Sequence, residues 1–155
     1  MISNKQLTEF LVKAGMNTSN IVVSAEDYVM PTPGWITKDL SASMNKFLFD
    51  SGIKFNYNQF DCKKFAKTAS TIADWCWAKT TNKEAALAFG MFGYLTALHA
   101  INVAIHRNDK QELYLAFYEP QPGVPDNHAV FSPICLTPVT LTQDDIASCL
   151  FCWFF

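Results

Sequence analysis

The chain has 155 residues, half of them apolar and 14% aromatic, with thirteen Phe and four Trp. That composition excludes a disordered chain or a charged coiled coil, and the length favours one domain spanning residues 1–155. With 12 basic against 14 acidic residues the net charge is −2, so there is no basic excess to pair with phosphates and no nucleic-acid partner is expected.

In chain order, Ser3 is placed to cap a first helix that carries Leu7, Phe10, Leu11 and Ala14 on one face and ends at Gly15. Residues 21–24 read as a short strand, and Pro31-Thr32-Pro33-Gly34 as a turn. A second helix is expected over 36–49, capped by Thr37 and stopped near Gly52, with Leu40, Met44, Phe47 and Leu48 as its apolar stripe. The third helix is the best defined. Asp61 is its N-cap, Cys62 falls in its first turn, and Phe65, Ala66, Ala69, Ile72, Ala73 and Cys76 form the buried stripe up to about Asn82. From there the period changes from 3.6 to 2. Strands are expected over 86–92, 99–106, 113–119, 129–136 and 147–155, with a polar turn at Arg107-Asn108-Asp109-Lys110 and a Pro/Gly-rich loop after Pro120. Helices first and strands afterwards make an α+β domain.

The hairpin geometry brings two chemical groups together. His99, Ile101, Val103 and Ile105 share one face of their strand, as do Leu113, Leu115, Phe117 and Glu119 of the next. Keeping both apolar faces on one side requires an even sum of paired residue numbers. A sum of 218 gives a compact turn and sets His99 opposite Glu119; sums of 216 or 220 also preserve the faces. A carboxylate beside a His fixes its tautomer and favours its charged form. Cys62, at the positive end of a helix dipole, is then the nucleophile that such a pair could activate. Oxyanion donors or supporting groups could come from Gln59, Asn102 or Gln121, or these could merely hold loops and ring orientation. His128 is an alternative base; it and His106 are expected in solvent near turns. Trp75, Trp77, Tyr114 and Tyr118 are read as packing residues rather than a ligand platform.

Three motifs carry a resemblance. Phe60-Asp61-Cys62-Lys63-Lys64-Phe65-Ala66, His99-Ala100-Ile101-Asn102 and Glu119-Pro120-Gln121-Pro122-Gly123 resemble those of the papain-like cysteine peptidase domain attached to a mushroom agglutinin (Marasmius oreades agglutinin), a family with bacterial and viral relatives. The resemblance covers residues 60–123 and implies a papain-like α+β fold with the nucleophile helix packed on an antiparallel sheet. It also implies that Cys62 is the nucleophile, His99 the base and Glu119 the third member of a triad. One departure concerns metal: the family often has two acidic residues after the Cys, and its agglutinin member is calcium-activated. Lys63 and Lys64 stand there instead, and ammonium groups cannot ligate calcium. No metal or cofactor is therefore expected. The lysines either add positive charge near Cys62 or simply form a solvated helix face.

The remaining cysteines, Cys76, Cys135, Cys149 and Cys152, bring the count to an odd five, and MISNKQLTEF is too polar for a secretory leader, so a reducing, cytoplasmic location is expected. Cys149-Leu150-Phe151-Cys152 lies in an apolar stretch without a second C-x-x-C, which suits buried thiols better than zinc or redox chemistry. Residues 85–105 lack Asp, Glu, Lys and Arg, but Thr96, His99, Asn102 and two glycines fit buried strands better than a membrane span. Three functions are consistent with these features. One is a cysteine-dependent hydrolase acting on a peptide or protein, or its acyl-transferring variant. The others are a catalytically silent module that binds a partner protein, and a subunit of an assembly held by the apolar end Trp153-Phe154-Phe155.

Overall fold

The computed structural model describes residues 1–54, 61–80, 85–122 and 135–155. The chain begins with β1 (Ile2–Ser3) and α1 (Asn4–Lys13). Ser3 caps α1 through a reciprocal box with Gln6, which satisfies two backbone donors at the helix start. Gly15, at φ 107°, turns the chain out of it. Next come β2 (Ile21–Val23), β3 (Asp27–Val29), a wide π-type turn at Trp35–Leu40 and α2 (Ser41–Ser51), which Gly52 ends in the left-handed conformation.

The start of this second helical stretch departs from expectation. Thr32, not Thr37, accepts the Trp35 backbone N–H at 3.1 Å, while the Thr37 hydroxyl donates back to the Pro33 carbonyl. The helix therefore starts earlier and wider. Its buried stripe is Leu40, Met44 and Leu48; Phe47 lies on the outer side, 41% exposed.

α3 (Cys62–Thr80) follows Asp61, whose carboxylate accepts the Lys64 N–H at 3.1 Å as an N-cap does. Then come β4 (Ala86–Leu87), β5 (Phe89–Tyr94), β6 (His99–Arg107), β7 (Leu113–Glu119), β8 (Thr137–Val139), α4 (Gln143–Ala147) and β9 (Cys149–Phe154). Six strands form the main sheet in the order β2-β9-β5-β6-β7-β8, antiparallel except where β2 runs parallel to β9; β1, β3 and β4 form a second, small sheet.

Three corrections concern the strands. β5 continues past Phe92 to Tyr94. The last strand begins at Cys149, because a short helix capped by Thr142 takes Ala147 as its last residue and Ser148 as its C-cap. The strand expected over 129–136 falls mostly outside the described residues, and the strand that does form there starts at Thr137.

Both faces of the sheet are covered at its central strands β5 and β6, and they carry alternate residues. Ile101, Val103, Ile105 and Phe117 pack with α1 residues Leu7 and Leu11 and with Tyr28, Phe92 and Phe154. Ala104 and Tyr118 pack on the other side against Phe65, Ala69, Ile72 and Ala73 of α3 and against Leu40 and Met44. Residues 85–105, free of charged side chains, are thus largely buried strands, with an exposed turn over 95–98. Among the described residues no helix is long and apolar enough to cross a membrane.

α3 is fixed to the sheet by a polar contact inside this apolar layer. The fully buried Asn102 amide donates to the Ala66 carbonyl (2.9 Å), the Gly90 carbonyl (2.9 Å) and Ser70 Oγ (3.1 Å). One residue of β6 thereby holds β5 and the first turns of α3. The N-terminus of α3 is brought to the end of the sheet where β5 closes and β6 opens.

Candidate active site

The β6–β7 ladder pairs Ile105 with Leu115, Val103 with Phe117 and Asn102 with Tyr118, so its sum is 220 rather than 218. The turn explains the shift. Asn108 Oδ1 accepts the backbone N–H groups of Lys110 and Glu112 (both 2.9 Å), and Gln111 takes a left-handed φ of 65°. Asn108 and Glu112 thus become the closing pair, and the loop between them is longer than the compact turn expected.

His99 and Glu119 nevertheless meet. The Glu119 side chain reaches diagonally, and its Oε2 lies 2.6 Å from His99 Nε2. Its other oxygen accepts the Gln121 backbone N–H at 3.1 Å. Pro120 has no N–H, so Gln121 supplies the first donor beyond the strand. With both oxygens engaged, the carboxylate is held in one orientation. The two side chains are 26% and 23% exposed, shielded enough to strengthen their attraction yet open to a substrate.

Tyr94 was not singled out from sequence, because its strand was read as ending at Phe92. It stands directly across from His99 in the β5–β6 ladder, with its ring edge-on to the imidazole at 6.3 Å. Burial pushes the Tyr94 hydroxyl above its ordinary range. Coulombic repulsion from Asp145, Glu119 and Cys62, each in its ionised form, adds to that. A strand extended by the pattern Phe92-Gly93-Tyr94 was the available signal.

Cys62 is half-buried at the start of α3 and packs, like Phe151 of β9, against a small cluster of Ala66, Met91 and Ala100. Ala100 is the neighbour of His99 in β6. Lys63 and Lys64 are exposed. Of the supporting residues, Asn102 is buried under α3, where its amide serves the helix–sheet contact. Gln121 is 5% exposed, and its Nε2 has no hydrogen-bond partner among the described residues. Gln59 and His128 lie outside the described residues.

His106 overturns an expectation. It is fully buried, not in solvent: Nδ1–H donates to the Pro31 carbonyl at 2.6 Å, and Nε2 accepts from the Tyr118 hydroxyl at 2.7 Å. Burial lowers the imidazole's pKa, against a smaller opposing effect from the Pro31 bond. The same burial pushes the Tyr118 phenol up to about 12. Sitting beside the turn in sequence, His106 points to the α3 face of the sheet, where Tyr114 and Tyr118 enclose it.

Cys149 and Cys152 are both buried free thiols. Burial pushes Cys149 up to about 11 and Cys152 further, which makes them poor nucleophiles.

No family model and no curated protein matches the chain. Among solved structures, the fold is similar to that described as "PSL1a-E64 complex", with a TM-score of 0.62 at 17% sequence identity. The match covers 95% of this chain and 49% of that one, so this chain spans about half its length. A likeness at that identity shows the fold alone. The fold is papain-like: α+β, with the Cys62 helix packed across a mainly antiparallel sheet.

Proposed function

We propose that this chain is a cysteine-dependent amide hydrolase in which Cys62 is the nucleophile, His99 the general acid and base, and Glu119 the group that orients His99. The 2.6 Å contact between His99 Nε2 and Glu119 Oε2, at the sheet end beside the α3 N-terminus, carries this reading. With Nε2 engaged, Nδ1 is the nitrogen left to take the thiol proton. The resulting thiolate attacks the amide carbonyl, and the C–N bond breaks as His99 returns the proton to the departing amine. Water then attacks the thioester, gives His99 its proton and releases the acid and the thiol. The Cys62 backbone N–H and the Gln121 side-chain amide are the donors proposed for the transient oxyanion. The substrate class is a peptide or protein, a reading supported by the E64 complex of the similar fold.

Alkylation with E-64 and with iodoacetamide at mildly acidic pH, followed by peptide mapping, tests the proposal. Cys62 is expected to react well ahead of Cys76, the other half-buried thiol, and to lose that lead in His99→Ala. If Cys62 reacts no faster than Cys76, the nucleophile is misassigned. A Cys62→Ala protein that keeps its full biological activity would point instead to a module acting by binding a partner.

A further inference from the structure

Alternating strands on a half-covered sheet normally place polar side chains on their open face. β9 does not. Cys152 and Phe154 fill one side of it, fully buried. The other side carries Phe151 and Trp153, continued by Phe155 just past the strand, with ring centroids 4.9 Å apart for the first pair and 6.1 Å for the second. This row is partly open: Phe155 is 50% exposed, and Val22, paired with Trp153 from β2, is 44% exposed. No charged residue occurs in either strand.

The row starts beside Cys62. Phe151 and Cys62 pack against the same cluster, and the Phe151 ring lies on the bare backbone of Gly93, where a Cβ would collide with it. Gly93 is paired with Phe151 on one side and with Ala100, the neighbour of His99, on the other. Two small residues thus leave the floor between the ring and the His99 strand low.

We propose that Phe151, Trp153 and Phe155 form the binding surface for apolar side chains of an extended peptide whose scissile bond lies at Cys62. This rests on the hydrolase reading above. Alternate side chains of an extended peptide recur about every 6.4–6.8 Å, as do the backbone positions of alternate residues of β9, while the rings themselves lean closer, to 4.9 and 6.1 Å. A peptide lying along the row would set successive apolar side chains against successive rings. The absence of charge on both strands selects against acidic or basic partners.

The test uses the whole chain with Cys62→Ala and two probes: a blocked hexapeptide with alternating Phe and Leu, and its Ser/Gly counterpart. The apolar probe is expected to bind at least about tenfold more tightly. Trp153→Ser should erase that preference and Trp153→Phe should retain it. Phe155→Ser, at the exposed end of the row, gives a second reading should Trp153→Ser fold poorly. Equal binding of the two probes, or a preference untouched by these variants, overturns the proposal. So does self-association of the protein that covers the row, seen by light scattering. Alkylation of the parent protein separates the two ideas: a sluggish Cys62 with the probe preference intact removes the hydrolase and leaves the peptide surface standing.

Discussion

His99 and Glu119 touch although they are not cross-strand partners. The ladder with Asn102 opposite Tyr118, continued one step, sets Ile101 rather than His99 opposite Glu119. The 2.6 Å contact therefore depends on the length of the Glu119 side chain, which spans a diagonal.

A mutant pair follows from this reach. Glu119→Gln keeps the length and loses the charge; Glu119→Asp keeps the charge and loses a methylene. Both are expected to lower the rate of Cys62-dependent hydrolysis, or of Cys62 alkylation at mildly acidic pH, by about 10²-fold or more. Were the two residues directly opposed, Asp would retain much of the function. Wild-type rates in Glu119→Asp would show that the diagonal contact is not used.

The thiols should divide into two classes. Cys62 and Cys76 are half-buried, whereas Cys135, Cys149 and Cys152 are buried, with burial pushing Cys135 up to about 12. An aromatic disulfide reagent should therefore titrate two thiols in the native protein and all five in denaturant. Reaction of Cys149 or Cys152 under native conditions would contradict the packing of β9.

Asn102 should matter more for stability than its size suggests. Asn102→Ala leaves the Ala66 and Gly90 carbonyls without their buried donor and opens a small cavity. A loss of about 2–4 kcal/mol is expected in urea unfolding. Asn102→Asp should be at least as damaging, because a carboxylate there would face two carbonyl oxygens. A loss under about 0.5 kcal/mol, the range of ordinary surface changes, would mean that α3 is held by apolar contacts alone.

His106 sets a pH dependence whose sign is fixed. Burial lowers its folded pKa below the ordinary 6.5, so below that pH the unfolded chain binds more protons than the folded one. Its contribution to stability is complete above about 6.5 and is lost as pH falls toward the depressed value. Protonation would also force Nε2 to donate where the Tyr118 hydroxyl now donates to it. The melting temperature should rise from pH 5 to pH 7, and His106→Gln should flatten that rise. An unchanged slope in the variant would assign the pH dependence to other groups.

Much of this was legible in the sequence because the signals were local. Ser3, Asp61 and Gly52 marked helix ends through their own side chains or backbone freedom, and period-2 alternation gave β7 its observed bounds. The faces of β6 were legible too, since Ile101, Val103 and Ile105 could share only one side. What failed depended on distant partners. The register turned on Asn108 bonding two backbone groups across the turn, and His106 was misjudged because Pro31, 75 residues earlier, supplies its acceptor. Tyr94 was missed because alternation is uninformative where a strand is buried on both faces. In the site, the meeting of His99 with Glu119 was readable from facing alone, whereas Gly93 and Phe151 acquire meaning only once β9 is known to lie beside β5.

The placement of β9 also sets an order of events during synthesis. Second in the sheet yet last among its strands in sequence, β9 must insert between β2 and β5. Ser24 bonds Phe154 across 130 residues. At ribosomal rates of about 5–20 residues per second, β2 emerges on the order of ten seconds before the segment it pairs with. Once β5 has emerged, and until β9 follows it, the outer edge of β5, with Met91 and Phe92, is open to any passing strand. A nascent chain of this protein is thus expected to need a holding chaperone until its aromatic final strand is free to close the gap.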